Sequence, residues 1–286
     1  MVIEYVDLHS HTTASDGTGP PARNVQLAKE AGLAGIAITD HDTVAGIDEA
    51  LREGERLGIV VVPGVEISAV ANQQDIHVLG YYMNVQDPVF LNRLALLRNT
   101  RNLRNDMIVE RLQQLGMSIT MDEVTASLGR VLQDKKTIGR PHIADLMINK
   151  GYVNSIAEAF DKYLGKQGAA YVNPPRIHPK EAIEWIKEAG GCAVLAHPGI
   201  YHKDELVEQL ILDGLDGIEV YHSDHSDADE ARYLEMALRH NLIITAGSDY
   251  HGERHGVVFH ASIGSRKINA TVLQQLKVRM VGDKNL

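Results

Sequence analysis

The sequence predicts an α/β fold: a distorted seven-stranded barrel, its strands joined mostly by helices, with a helical cap inserted part-way along. Three observations predict it. Apolar, β-branched runs alternate with amphipathic helical stretches at both ends of the chain. Residues 87–172 interrupt that alternation and read as helix-rich, with nothing resembling a barrel strand. Histidines and carboxylates recur at strand ends, where parallel α/β architectures collect their chemistry on one face.

The first run is VIEYVDL, followed by a helix from about Pro21 to Ala31 with proline in its first turn and Gly32 behind it. LAGIAITD (33–40) is the second run, and a helix follows over roughly 44–57. IVVVPGVEI (59–67) and QDIHVLGYY (74–82) are third and fourth. The gap between them is too short for a helical crossover, so these two strands are expected to be antiparallel neighbours. CAVLAH (192–197), DGIEVYH (216–222) and LIITAGSD (242–249) complete the seven, alternating with helices near 179–189, 203–213 and 227–240. RKINATVLQQLKVRM reads as a C-terminal amphipathic helix on the barrel. The division expected is a barrel from 1–86 and 173–286, and a cap over 87–172, where VFLNRLALLRNTRNLRNDMIVERLQQLG is a long helix stopped at Gly116. ITMDEVTASLG, RPHIADLMINKGY and IAEAFDKYLG are shorter helices within the same stretch.

The 286 residues are 44% hydrophobic and 23% charged, the composition of a globular protein. A formal net charge of −10 argues against a protein that coats duplex nucleic acid by bulk electrostatics, but not against a local basic pocket. Cys192 is the only cysteine, which excludes an intrachain disulfide and a cysteine-ligated structural zinc. MVIEYVDLHS carries acids where a signal peptide needs bases, and no apolar run reaches membrane-spanning length. The expectation is a cytoplasmic enzyme with no membrane partner.

Strand one ends at His9 and His11, with Asp16 in the next loop; strand two ends at Asp40 and His41, and strand three at Glu66. Asp75 and His77 open strand four, and His197, His222 and the pair Asp249 and His251 end strands five, six and seven. Each has a plain alternative. Asp40 or Asp249 can cap a helix, and His77 can be a core histidine. A carboxylate closing a buried strand, as Glu66 does, needs a partner. The plain alternatives fail jointly, because each would have to land independently on one face. Such a His, Asp and Glu mixture suits zinc, manganese or iron, with carboxylates able to bridge ions.

DLHSHTTASDG, ITDHDTVAG, VPGVEIS, DIHVLGY, LAHPG and GSDYHG resemble, in order, the motifs of the PHP (polymerase and histidinol phosphatase) superfamily, over residues 1–85 and 173–255. The KKTIGRPHIA stretch is similar to the cap of its stand-alone bacterial phosphoesterases, which include 3′,5′-nucleotide bisphosphate phosphatases and 5′→3′ oligoribonucleases. The resemblance implies two or three divalent ions, manganese first, with iron, zinc or magnesium as alternatives. His9, His11, Glu66 and Asp249 would hold one ion, Glu66, His77 and His197 a second, and Asp16, His41 and His251 a third. Asp40 would orient a ligand histidine from behind. The chemistry implied is attack on a phosphate ester by a metal-bound hydroxide, with Asp16 at the reaction centre and His222, which has no ligand slot, as acid or substrate contact.

Substrate contacts are sought in the cap. Arg98, Arg101 and Arg104 recur every third residue beside Asn102 and Asn105, although a solvated helix face would look the same. Lys135, Lys136 and Arg140 lie in a glycine-containing turn. The contacts expected are Arg101, Asn102, Arg104, Lys135, Arg140 and His222, for a nucleoside 3′,5′-bisphosphate or a short 5′-phosphorylated oligoribonucleotide. A phosphomonoesterase acting on histidinol phosphate is the alternative, though its cationic amine would want carboxylates in the cap. A non-catalytic metal-binding module is a more distant one.

Overall fold

The computed structural model describes residues 3–128 and 137–282. Eight strands form one sheet in the order β10-β1-β2-β3-β4-β5-β6-β7. β1 (Tyr5–Asp7), β2 (Gly35–Ile38) and β3 (Val60–Ala71) run parallel, as do β5 (Cys192–Leu195), β6 (Gly217–His222) and β7 (Ile243–Gly247). β4 (Gln74–Tyr81) runs antiparallel to both β3 and β5. The ring closes between first and last: the Leu8 N–H donates to the Ala246 carbonyl at 2.9 Å, and Ser10 bridges Tyr250 in parallel. The result is the nearly closed α/β barrel expected. Its strands are buried on both faces, which is why they read as continuous apolar runs such as GIAI and CAVL.

The β3–β4 pair differs from expectation in length. β3 continues four residues beyond Ile67, and a two-residue turn, Asn72 and Gln73 at φ 50° and 61°, reverses the chain. Glu66 therefore lies within a strand, level with the mouth of the barrel, where His41 bridges it. The C-terminal stretch also differs. A two-residue strand β10 (Ile268–Asn269) pairs antiparallel with β1 before the helix α10 (Val272–Gly282) begins. Two residues are too few for periodicity to signal. A second hairpin, β8 (Glu253–Arg254) with β9 (Val257–Val258), follows the last ligand motif.

Helices α1 (Pro21–Glu30) and α2 (Ile47–Leu57) link the first three strands, α2 ending at Gly58 with φ 64°. α7 (Pro179–Glu188), α8 (Asp204–Leu212) and α9 (Asp227–Arg239) accompany strands five to seven. Between β4 and α7 come α3 (Pro88–Gln114), α4 (Met121–Ser127), α5 (Arg140–Asn149) and α6 (Ile156–Ala159), the last running into a π-helical turn over Phe160–Leu164. α3 serves two apolar clusters. Phe90, Leu94 and Leu97 pack with Ile183 and Ile186 of α7 and with barrel residues Val65 and Val78. Ile108, Val109 and Leu112 pack with Val124, Ile143, Met147 and Leu164. No helix among the described residues is long and apolar enough to cross a membrane.

Candidate metal centre

The strand ends deliver their polar side chains to one buried point. Glu66 is the hub. Its Oε2 lies 3.1 Å from His11 Nε2, 3.5 Å from His9 Nε2 and 3.0 Å from His41 Nδ1. Its Oε1 lies 2.8 Å from His77 Nδ1 and 3.0 Å from His197 Nε2. Asp249 Oδ1 sits 3.2 Å from both His9 Nε2 and His11 Nε2. Asp16 faces His251 Nε2 at 3.4 Å, and His11 and His41 at 3.8 Å. The structure thus brings all nine residues expected as ligands into one cluster. His9, His11, Glu66 and Asp249 converge as one set, and His11, Asp16, His41 and His251 as another.

Local backbone serves this convergence. His197 and Asp249 adopt φ of 30° and 53°, a region that non-glycine residues enter at a cost. Asp40 takes the Thr12 N–H at 2.8 Å, the Thr12 hydroxyl at 2.7 Å and the Ser15 hydroxyl at 2.6 Å. It reaches His11 through Ser15, whose hydroxyl lies 3.4 Å from His11 Nδ1, and pins the loop that carries His11 and Asp16. His251 Nδ1 meets the carbonyl of Asp249 at 2.8 Å, which turns its Nε2 toward Asp16.

Electrostatically the cluster is polarised. Burial alone would raise Glu66 and Asp249, but the surrounding histidines hold both carboxyls well below their usual range. Burial pushes His41 and His197 down to about 4, leaving neutral rings with free lone pairs. His9 and His11 are also pressed down by burial, yet Asp249 and Glu66 hold both above the ordinary value, His11 at about 10. The ionised Glu66 and Asp249 therefore share this point with two neutral rings, His41 and His197, and with two that they hold protonated, His9 and His11, whose protons a cation would displace. Asp16 Oδ1, His41 Nδ1, His77 Nδ1 and Asp249 Oδ1 are buried without hydrogen-bond partners. Orphaned lone pairs that converge at these distances fit shared divalent cations.

The model of the PHP domain matches residues 7–191. The chain belongs to the PHP family. Among curated relatives, the 5′-3′ exoribonuclease Rnm of Escherichia coli is 35% identical over 86% of this chain and 84% of its own. The phosphoribosyl 1,2-cyclic phosphate 1,2-diphosphodiesterase of Eggerthella lenta is 32% identical over 86% and 94%. The 3′,5′-nucleoside bisphosphate phosphatase of Chromobacterium violaceum is 32% identical over 88% of each. In three dimensions, a Bifidobacterium adolescentis protein described as a candidate metal-dependent phosphoesterase superposes with a TM-score of 0.88, at 35% identity over 96% of each chain. This PHP chain is a metal-dependent phosphoesterase.

A cavity of about 380 Å³ opens above the PHP cluster and reaches the α3–α6 segment. Arg101, Arg104, Arg140 and Arg176 line it, with Phe160, Phe259, Ile200 and Tyr201 as apolar wall. α3 therefore turns Arg101 and Arg104 inward, not to solvent. Arg101 is buried and forked onto Asp42 at 2.8 and 3.1 Å, so its charge is already engaged. Arg140 donates to Asp75 at 3.0 Å, and Arg176 is paired with the same carboxylate. Arg104 is different. It is 4% exposed, and its Nε and one terminal nitrogen have no partner. Burial and the neighbouring Arg140 and Arg101 press its pKa well below the ordinary arginine value.

Two expected contacts, Asn102 and His222, fall off the cavity wall, and a third, Lys135, is outside the described residues. Asn102 is exposed and absent from the cavity wall, because one residue on from Arg101 turns about 100° around the helix. Lys135 and Lys136 lie outside the described residues. His222 is fully buried beneath Asp249, its Nε2 3.3 Å from Asp249 Oδ2, and does not line the cavity. Beside the candidate ligands His41, His77, His197 and His251, the cavity is lined by a further imidazole, His260, with Nδ1 2.6 Å from Asp224 and Nε2 3.4 Å from Asp249. His260, Arg176 and Glu219 are the polar residues that motif reading missed. Arg176 and His260 sit in loops without pattern. Glu219 was detectable as an acid inside the apolar run GIEVYH.

Proposed function

We propose that this phosphoesterase removes a phosphate from small nucleotides that carry a second phosphate, nucleoside 3′,5′-bisphosphates or short 5′-phosphorylated oligoribonucleotides. One observation carries the reading: Arg104, a buried guanidinium with unpartnered donors, faces the same cavity as the histidine–carboxylate cluster. A buried cation without a partner is costly, and a terminal phosphate offers the bidentate acceptor that it lacks.

In this reading His9, His11, Glu66, His77, His197, Asp249, Asp16, His41 and His251 hold two or three divalent ions, with manganese favoured. Such ions, when bound, lower the pKa of a coordinated water and neutralise phosphoryl oxygens. Glu66, with histidines facing each of its oxygens, spaces two of the sites. Arg104 grips the phosphate that is retained, while Asp75 keeps Arg140 and Arg176 beside it. Phe160, Phe259 and Tyr201 exclude water from the nucleoside side. His260, steadied by Asp224, is the ring placed to give its Nε2 proton to the leaving oxygen, the role expected of His222.

The likeness to the Eggerthella lenta diphosphodiesterase supports a second reading, a cyclic phosphodiester of phosphoribose, whose other phosphate would also suit Arg104. Turnover by manganese-loaded protein of adenosine 3′,5′-bisphosphate, AMP, histidinol phosphate and phosphoribosyl 1,2-cyclic phosphate, side by side, read as released phosphate for the first three and as the ring-opened monoester for the last, tests both. Preference for the bisphosphate supports the first reading and opening of the cyclic ester the second. Equal or faster turnover of histidinol phosphate overturns both.

A further inference from the structure

The nine candidate ligands leave one buried carboxylate of β6 without a role. We propose that Glu219 is a positioning residue that sets two ion sites at once, an inference that rests on the metal-centre reading above. Its side chain is fully buried. Oε1 lies 3.0 Å from His9 Nδ1, and Oε2 accepts the backbone N–H of His197 at 2.9 Å. One carboxylate therefore reaches a histidine of the first proposed site and the main chain of a histidine of the second.

Both contacts act on ligand geometry. Donation from His9 Nδ1 to Glu219 fixes the tautomer that leaves the Nε2 lone pair facing Glu66 and Asp249, at 3.5 and 3.2 Å. His197 stands at φ 30°, and the bond from its N–H to Glu219 holds the residue in that sparsely populated conformation. The neighbouring strand is shaped to allow this. A Cβ on Gly247 would fall 2.2 Å from His9 Cβ and 2.6 Å from Glu219 Oε1, so only glycine lets the pair approach.

The test separates the two contacts by chemistry. In Glu219→Gln the single amide oxygen stays on the His197 N–H, which can only donate. The amide NH2 then faces His9 Nδ1 and drives that ring's proton to Nε2, the nitrogen that would face the cation. Manganese titration of the whole protein, followed by the EPR signal of free Mn(II), should show E219Q binding one ion about 10- to 100-fold more weakly and the other near the wild-type level. E219A should weaken both, and excess manganese should restore kcat with KM unchanged. Wild-type titration by E219Q, or a lowered melting temperature with normal manganese binding in the folded fraction, overturns the proposal. Should E219Q fail to fold, E219D carries the test: the charge is kept, the reach is too short for both contacts, and wild-type titration again overturns the role. His77→Ala serves as control for the centre itself. If the wild type binds no manganese, or H77A binds as the wild type does, the metal-centre reading fails, not the role of Glu219 alone.

Discussion

Arg104 is the residue at which function and stability pull apart most clearly. Its guanidinium is buried with open donors beside three further arginines, Arg101, Arg140 and Arg176. Arg104→Ala should lower kcat/KM for a bisphosphate by about 10- to 100-fold, the worth of one or two charge-assisted hydrogen bonds. The monophosphate should lose much less, and parallel steady-state kinetics on the two substrates check it. Arg104→Met should raise folding stability by about 1–3 kcal/mol, because an unpaired buried charge is replaced by an apolar chain of similar length. Urea unfolding midpoints read that gain. At this scale the clustered histidines and carboxylates were legible and the cavity arginines less so. His9 and His11 announce themselves by type and by position after a strand, and Glu66 by being an acid inside an apolar run. Arg104 and exposed Asn102 stand two residues apart on one helix, and only the docking of α3 decides which of them faces the cavity.

The helical segment is pinned to the ligand loops at a few buried points. Arg98 donates to the carbonyl of Asp42 at 2.8 Å, and Arg101 forks onto its carboxylate. Thr137 bonds to the carbonyls of both Ala14 and His41, at 3.0 and 2.8 Å. Asp42→Ala strands Arg101 as a buried unpaired cation, and we expect a loss of about 3–5 kcal/mol, measured by chemical denaturation. Gly139 opens α5 directly over Asp16: an added Cβ would lie 2.6 Å from Asp16 Oδ2. Gly139→Ala should therefore depress activity at limiting manganese and recover toward wild type as manganese is raised, in a metal titration of the rate. Helix and strand identities were readable from period and capping residues, including the antiparallel β3–β4 turn. The β8–β9 hairpin and β10 were not, since two-residue strands carry no period.

Across the whole molecule, the folded state gathers nine cation-seeking side chains from six strands and the loops that follow them, and the unfolded chain cannot. Saturating manganese should therefore stabilise the protein, by about 2.7 kcal/mol per site at a hundredfold excess over Kd. A chelator should reverse the gain in a thermal melt. The barrel strands and the helix-rich stretch between β4 and α7 were both legible in the alternation of runs, while the depth of the cavity beside that stretch was not, because it depends on how α3 leans. That lean follows from the reversed strand. β4 descends, so the chain leaves the barrel at its foot and must climb back to reach the mouth. α3, 27 residues and about 40 Å long, makes the climb in one piece, from Phe90 among the α7 contacts to Arg104 in the cavity. The separation between the histidine cluster and Arg104 is thus set by a rigid gauge footed on the opposite end of the barrel. Substrates would be sorted by the span between their two phosphates, and a relative that gained or lost residues in this helix would measure a different molecule.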